Sequence, residues 1–100
     1  MKDDICPKFE KATKILNKRW NGLIIHQLLL RPKRFGELED EIQISGKVLS
    51  TRLKELEEFG IVERKVYPET PVRIEYDLSQ MGKSLSLVMK SIEDWSKIWL

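Results

Sequence analysis

Apolar residues recur at helical spacing in the first third of the chain. Pro7 suits the first position of a helix, where its missing N–H is not needed. We expect Asn17 to cap a second helix, which Pro32 stops and which is apolar over most of its surface. A helix of that kind belongs at the centre of a fold. The first helix has a narrower apolar stripe, formed by Phe9, Ala12, Ile15 and Leu16.

Two helices separated by a short turn are predicted next. The segment 34–42 fits a short third helix, with its apolar residues on one side. Ser45 is a good N-cap for a fourth helix, and Gly60 is a good residue to end it. The spacing of these two helices is that of a helix-turn-helix.

A β-hairpin is predicted after the fourth helix. The runs 61–67 and 72–78 flank the sequence PETP, and the second run alternates strictly between apolar and polar residues. That alternation indicates a half-buried strand. Its polar members are expected to face away from the core: Arg73, Glu75 and Asp77. Ser79 then caps one long final helix that runs to the C-terminus.

The final helix carries apolar residues at heptad spacing, in steps of 4, 3, 4, 3 and 4 residues from Met81 to Trp99. This stripe either packs on the first two helices of the same chain or pairs with a second copy across a two-fold axis. Its length, and the apolar surface at the other end of the chain, favour the dimer. The predicted dimer interface consists of Phe9, Leu85, Val88, Ile92, Trp95 and Trp99.

The order of elements predicts an α+β fold that is mostly α: a winged helix-turn-helix with a two-stranded β-hairpin wing and additional terminal helices. One domain is expected to cover residues 1–100. Within it, 1–30 and 80–100 provide helices for the core and for dimerisation, 34–60 forms the helix-turn-helix, and 61–78 forms the wing.

The fourth helix is predicted to turn a polar face outward. At 100° per residue its apolar residues share one sector, while two lysines and two hydroxyls occupy the opposite sector. Such a face suits the DNA major groove, although a merely solvated face has the same composition. With the basic residues before the third helix and on the hairpin, the predicted DNA contacts are Lys33, Arg34, Ser45, Gly46, Lys47, Ser50, Thr51, Lys54, Lys65 and Arg73.

Composition narrows the possible classes. The chain has 100 residues, 41% of them hydrophobic and 34% charged, and its net charge of +2 means that nucleic acid must be bound by local basic patches. No apolar run approaches the roughly 20 residues needed to span a membrane, and the N-terminus does not look like a signal peptide, so we expect a cytoplasmic protein. We find no phosphate loop, catalytic triad or metal-ligand cluster, and expect no cofactor, metal or enzyme activity.

Cys6, the single cysteine, directly precedes Pro7, so we expect it to be the N-cap of the first helix. There its sulfur could accept backbone N–H groups and would lie at the positive end of the helix dipole. Nearby lysines and Arg19 favour the thiolate, which is the reactive form, whereas Asp3 and Asp4 oppose it. From these residues alone, a reactive thiol and an ordinary buried cysteine are equally acceptable readings.

Four segments of the sequence together resemble a known family: CPKFEKATKILNKRWNGLIIHQLL, KRFGELE, ISGKVLSTRLKELEEFGIVER and VYPETPVRIEYDLSQMGKSL. Over nearly the whole chain they resemble the HxlR family of bacterial transcription regulators, winged-helix dimers related to MarR. The first segment resembles its YodB-like, quinone-sensing branch.

This resemblance implies a repressor that binds a palindromic operator in double-stranded DNA as a homodimer. It implies that Cys6 senses quinones, other small electrophiles or thiol oxidation, and that the controlled genes encode detoxifying oxidoreductases. A resolving cysteine, present in some relatives, is missing here, which leaves an adduct, a mixed disulfide or a bridge between two subunits. Other readings remain: a regulator with a non-covalent effector, a winged helix that binds protein, and a thiol enzyme that uses Cys6.

Overall fold

Helices account for most of the residues that the computed structural model describes, which are residues 4–100. The wing is a two-stranded antiparallel sheet inserted between the fourth and fifth helices, as in a winged helix-turn-helix. The elements in chain order are α1 (Pro7–Leu16), α2 (Asn21–Leu30), α3 (Phe35–Ile42), α4 (Gly46–Phe59), β1 (Val62–Tyr67), β2 (Arg73–Leu78), α5 (Gln80–Lys83) and α6 (Ser86–Trp99).

The turn between α1 and α2 differs from the prediction. Asn17 does not cap α2; it ends α1, and its N–H donates to the carbonyl of Thr13 at 2.8 Å. Trp20 precedes α2 instead, with a left-handed φ of 80°. Asn21 is fully buried, and its side-chain amide donates to the carbonyl of Ile15 at 2.8 Å. The start of α2 is therefore tied to the end of α1 by the amide of Asn21, four residues after the predicted cap.

The helix-turn-helix has the predicted boundaries. The Ser45 hydroxyl accepts the Val48 N–H at 3.3 Å at the start of α4. Gly60 ends α4 with a φ of 98°, a left-handed conformation in which a side chain would be strained. Between the two helices, Gln43 has a φ of 61° and closes α3 through its own N–H. These local signals fix the length and direction of α4.

The start of α3 is held by two contacts to one carboxylate. Glu37 accepts the backbone N–H of Arg34 at 3.0 Å and pairs with the guanidinium of Arg31. The hydrogen bond from Arg31, followed by that from Arg34, lowers the pKa of Glu37 to about 2. The carboxylate therefore stays charged at neutral pH and lies near the positive end of the α3 dipole.

The hairpin pairs Val62 with Leu78 at its base and Tyr67 with Arg73 near its tip. The predicted polar face of β2 is only partly correct, because Asp77 is buried. Its carboxylate accepts from the Leu78 N–H at 2.8 Å and lies 3.3 Å from the ammonium of Lys65. These two contacts replace the water that an exposed aspartate would have had.

The predicted final helix is two helices. Ser79 caps only the short α5, where its hydroxyl accepts the Gly82 N–H at 3.1 Å. The same hydroxyl donates to the carbonyl of Ile61, the residue before β1. The chain leaves α5 through a tight turn in which the Leu85 N–H donates to the Gly82 carbonyl at 3.0 Å. Because α6 starts after this turn, Met81 lies outside the apolar stripe of α6, contrary to the continuous heptad pattern.

The core lies between α2, α3, α4 and the base of the wing, and the terminal helices contribute little to it. No residue of α1 is buried, and Met89 is the one buried residue of α6. The molecule measures 62 × 29 × 24 Å, and its radius of gyration of 15.3 Å exceeds the roughly 13 Å of a compact chain of this length. Among residues 4–100, no helix is long and apolar enough to cross a membrane.

Replacing Gly82 with alanine should destabilise the protein by about 3 kcal/mol or more, because overpacking against fixed backbone is costly. A Cβ at this position would lie 2.2 Å from the carbonyl oxygen of Ile61. Gly36→Ala is the matched control, since nothing lies within 4 Å of its added Cβ, and it should gain roughly 0.5–1 kcal/mol. Urea unfolding at fixed protein concentration measures both, and equal stability of the two variants would contradict the packing of α5.

Replacing Glu37 with glutamine should lower stability at neutral pH but not in acid. The folded-state pKa of about 2 lies below the ordinary 4.5, so the carboxylate stabilises the fold above pH 4.5 and loses that effect as the pH falls toward 2. The difference in urea midpoint between the two proteins should shrink over that window. Glu63→Gln is the control, because Glu63 is exposed and forms no ion pair within residues 4–100. A difference in urea midpoint between the wild type and Glu37→Gln that stays constant with pH would contradict the ion pair.

Candidate nucleic-acid interface and regulatory thiol

The polar face of α4 is one exposed row at spacings i, i+3, i+4 and i+7: Lys47, Ser50, Thr51 and Lys54. The opposite side of the helix is buried in the core and carries Leu49, Leu53 and Leu56. The Thr51 hydroxyl donates to the Lys47 carbonyl at 3.1 Å and keeps its acceptor capacity. Neither lysine forms an ion pair with any residue from 4 to 100. The row can therefore offer two cations and two hydroxyls to a DNA groove.

The first residues of α4 have structural roles of their own. Ser45 uses its hydroxyl oxygen as the N-cap, although its O–H remains a donor. Gly46 lies against α3, and a Cβ there would come within 2.8 Å of the Glu39 carboxylate. The carboxylate thus lies close to the positive end of the α4 dipole. Both predicted residues lie beside the exposed row, but a phosphate at Gly46 would meet the negative charge of Glu39.

Lys33, which was predicted to contact phosphate, is buried instead of exposed. Its side chain is only 4% exposed, and its ammonium is bound by Gln27 at 2.7 Å and by Glu41. Two of its three N–H donors are bound to these acceptors, and the burial of the side chain keeps the third away from solvent. Its neighbour Arg34 is exposed and, within residues 4–100, forms no ion pair, so the predicted basic approach to α3 is reduced to Arg34.

The two cations of the wing are held by acids of the wing itself. Arg73 donates to Glu69 at 2.7 Å, lies 2.9 Å from Glu75, and its guanidinium lies 3.9 Å from the ring centroid of Tyr67. The hydrogen bond to Glu69 is the main reason why the pKa of Arg73 is raised. Asp77 holds Lys65 and likewise raises its pKa. A DNA phosphate therefore has to compete with these carboxylates for each cation.

Cys6 occupies the predicted position but lacks the predicted capping bond. It is the N-cap of α1, with Pro7 directly after it, and it is exposed. Its sulfur accepts no capping hydrogen bond. Of the expected cationic neighbours, Lys18 lies beyond the other end of a helix about 15 Å long and pairs with Glu55 at 2.8 Å. The thiol is therefore open to solvent and reagents, and the reading as a buried core cysteine is wrong.

The terminal helices expose the predicted interface residues, with one exception. Leu85 lies at the edge of the core, next to the turn that begins α6. The exposed members are Phe9, Val88, Ile92, Trp95 and Trp99, to which Leu87, Ile98 and Leu100 add further apolar surface. On the inner side of α6, the Glu93 carboxylate accepts a hydrogen bond from the Nε2 of His26 in α2 at 2.9 Å. Most of the apolar surface of α6 is thus not used within the chain.

The sequence pattern did not reveal the carboxylates that pair with the predicted DNA-binding cations. Glu69 and Arg73 are four residues apart across the PETP turn, and this spacing was the available signal for their pair. The pairing of Lys33 with Glu41 had no such signal. It depends on how α3 packs beside the segment that follows α2, which only the folded chain shows.

Comparison with known proteins agrees with this architecture. The family model described as HxlR-like helix-turn-helix matches residues 15–100. The HTH-type transcriptional regulator YvaP of Bacillus subtilis is 52% identical over 98 residues, which is 97% of this chain and 91% of YvaP. The HTH-type transcriptional regulator YodB of the same organism is 50% identical over 97 residues, or 96% of this chain and 87% of YodB.

Solved structures of YodB from B. subtilis have the same fold. The reduced form superposes with a TM-score of 0.87 at 49% identity, covering 96% of this chain and 95% of that one. The quinone-bound form gives a TM-score of 0.83 at 45% identity, covering 95% and 100% of the two chains. With the exposed row on α4 and the wing beside it, these matches establish that the chain belongs to the HxlR family of helix-turn-helix transcriptional regulators and is not an enzyme.

Proposed function

We propose that the protein is a homodimeric, cytoplasmic repressor that binds a palindromic operator and releases it when Cys6 reacts with a quinone or is oxidised. The exposed thiol at the start of α1 is the observation that carries the regulatory part of this proposal. The controlled genes would then encode oxidoreductases that remove such electrophiles.

The row of α4 supports DNA binding. Its two lysines, which form no ion pair within residues 4–100, can neutralise phosphates, while Ser50 and Thr51 can bond base edges or phosphates. Arg34 can add a phosphate contact from the start of α3, and Arg73 and Lys65 can add contacts from the wing after exchanging their carboxylates. Two such sets, related by two-fold symmetry, would match a palindrome with half-sites about one helical turn apart.

The terminal helices support the homodimer. Isolated helices of about ten residues are marginal in water, yet α1 buries no residue in this chain. The outer face of α6 exposes two tryptophans and several aliphatic side chains, which a single soluble chain rarely leaves together in contact with water. A second copy that covers α6 and the exposed Phe9 of α1 would remove both costs.

The chemistry at Cys6 follows from its exposure. The thiolate adds to a ring carbon of the quinone, a C–S bond forms, and proton transfer leaves a hydroquinone thioether on the protein. The quinone-bound and diamide-treated forms of the similar YodB support the same two classes of reagent here. Because Cys6 begins α1, an adduct would press on the proposed dimer contacts and change the spacing of the two α4 helices.

A cavity favours a second candidate, a non-covalent effector with Cys6 as a bystander. It has a volume of about 280 Å³ between α1, the end of α4 and α5, and most of its lining is apolar. Lys8 and Lys11 are among its lining residues, so the cavity suits a mostly apolar ligand that carries a negative charge. The thiol experiment below separates this candidate from the first.

Replacing Lys47 and Lys54 together with glutamine should weaken duplex binding at every sequence and reduce the salt slope, log K against log salt, by about two per chain, or about four for a bound dimer. Fluorescence anisotropy with a duplex from immediately upstream of the protein's gene measures both, and a stoichiometric titration should give two chains per duplex. Lys90→Gln, on α6 and paired with Asp94, is the control. An unchanged salt slope in the double variant would exclude α4 as the DNA-binding helix.

Treating the protein with a benzoquinone should abolish binding to that duplex, and Cys6→Ser should bind as before and resist the treatment. Mass spectrometry should find one added quinone per wild-type chain and none on the variant. Release of the Cys6→Ser protein by quinone would contradict the thiol switch. If an apolar aromatic anion instead released both proteins equally, the non-covalent candidate would be favoured.

A further inference from the structure

Lys33 is a buried cation at the centre of the DNA-binding half of the molecule. It lies in the short segment between α2 and α3, and its side chain is 4% exposed. Lysine is rarely buried to this degree unless its ammonium is paired. Here the ammonium donates to the Gln27 side chain of α2 at 2.7 Å and contacts the Glu41 carboxylate of α3. The side chain therefore joins two helices.

The backbone of Lys33 joins the same point to the wing. Its N–H donates to the Tyr76 carbonyl at 2.9 Å, and the Tyr76 N–H donates back to the Lys33 carbonyl at 2.7 Å. This bridge gives β2 a partner on the edge that β1 does not cover. The ring of Phe35, the first residue of α3, lies 6.5 Å from the ring of Tyr76 and packs on the same side of the wing.

The resulting Lys33 junction (Gln27, Lys33, Glu41 and Tyr76) is the place where α2, α3 and the wing meet through one residue. A two-stranded hairpin has little stability of its own, so its direction depends on what holds its base and edges. The ammonium of Lys33 is buried, so loss of its partners would leave an uncompensated charge there, whereas Glu41 is 34% exposed and can be solvated. The junction therefore restrains the orientation of the wing relative to α3.

We propose that Lys33 is a positioning residue for operator recognition: it holds the wing in register with α4 so that both contact one duplex together. This inference rests on the proposed DNA-binding function and deepens it. Specific binding needs the α4 and wing contacts at the same time, whereas non-specific binding needs only cations near phosphates. Misplacing the wing should therefore reduce specificity more than overall attraction to DNA.

The test compares Lys33→Met with Arg34→Gln in full-length protein. The probes are the upstream duplex and a scrambled duplex of equal composition, titrated at several salt concentrations. Lys33→Met should lose about tenfold in affinity for the upstream duplex while keeping its affinity for the scrambled one and its salt slope. Arg34→Gln, the exposed neighbour, should weaken both duplexes and reduce the salt slope by about one per chain, or about two for a bound dimer. Lys33→Arg, which can still bond Gln27 and Glu41, should restore specificity.

Two further measurements keep the proposal open to contradiction. If Lys33→Met does not fold, Glu41→Gln leaves a neutral acceptor for the ammonium and should show the same loss of specificity, in smaller measure. Amide hydrogen exchange without DNA should show the Tyr76 amide exchanging at least tenfold faster in the variant, while the amides between β1 and β2 keep their rates. This exchange measurement tests the junction without DNA. If the wild-type protein does not distinguish the two duplexes, that result refutes the proposed function but not the role of the junction in holding the wing.

The outcomes that would overturn the proposal are definite. Equal losses on both duplexes, with a smaller salt slope, would make Lys33 a phosphate contact that leaves its buried position on DNA. Unchanged specificity in a folded Lys33→Met protein, with unchanged exchange at Tyr76, would make the junction irrelevant to the wing. Lower thermal stability with an unchanged ratio of the two affinities would show a structural role only.

Discussion

The burial of one side of α4 is the constraint on which the rest of the structure depends. Leu49, Leu53 and Leu56 face the core, which leaves the row from Lys47 to Lys54 directed at solvent. The cap at Ser45 and the left-handed Gly60 fix where the helix begins and ends. Hydrophobic packing on one side of a helix and DNA-binding chemistry on the other are thus consequences of one 3.6-residue period.

The distribution of the core explains the shape of the molecule. Most buried residues belong to α2, α3, α4 and the base of the wing, while α1 only packs Ile15 and Leu16 against the core and α6 contributes Met89. A chain of this size has little surplus stability, and these helices leave much apolar surface in contact with water. The proposed dimer would bury that surface, and it would place the exposed Cys6 where a modification can alter the relation between two DNA-binding halves.

The cations are divided between folding and function. Lys33, Lys65 and Arg73 are all paired with carboxylates of the same chain, whereas Lys47, Lys54 and Arg34 form no ion pair within residues 4–100. With a net charge of only +2, attraction to DNA depends on local groups of cations and not on the charge of the whole chain. Binding by two copies would compensate for this, since the contacts of both halves are then made together.

Local signals in the sequence determined the elements whose ends carry a conformational preference. Pro7, Ser45 and Gly60 marked their helix boundaries correctly, and the period of the fourth helix separated its buried side from its polar side. These boundaries and faces depend on neighbours within a few residues, so a pattern along the chain is sufficient to predict them. The resemblance to the HxlR family was also visible in the sequence, because its motifs occur over nearly the whole chain.

Tertiary packing decided everything that depends on contacts distant in sequence. Asn17 has the side chain of an N-cap, yet Asn21 bonds the end of α1 and moves the start of α2. Gly82 lies against the carbonyl of Ile61, and a tight turn after α5 divides the predicted final helix into two. In the sequence, nothing distinguishes Lys33 from an exposed lysine, whereas in the fold α3 and β2 pack around it. A charge pattern shows where a cation occurs in the chain, but only the fold shows which carboxylate lies within reach of it, because that distance is set by packing.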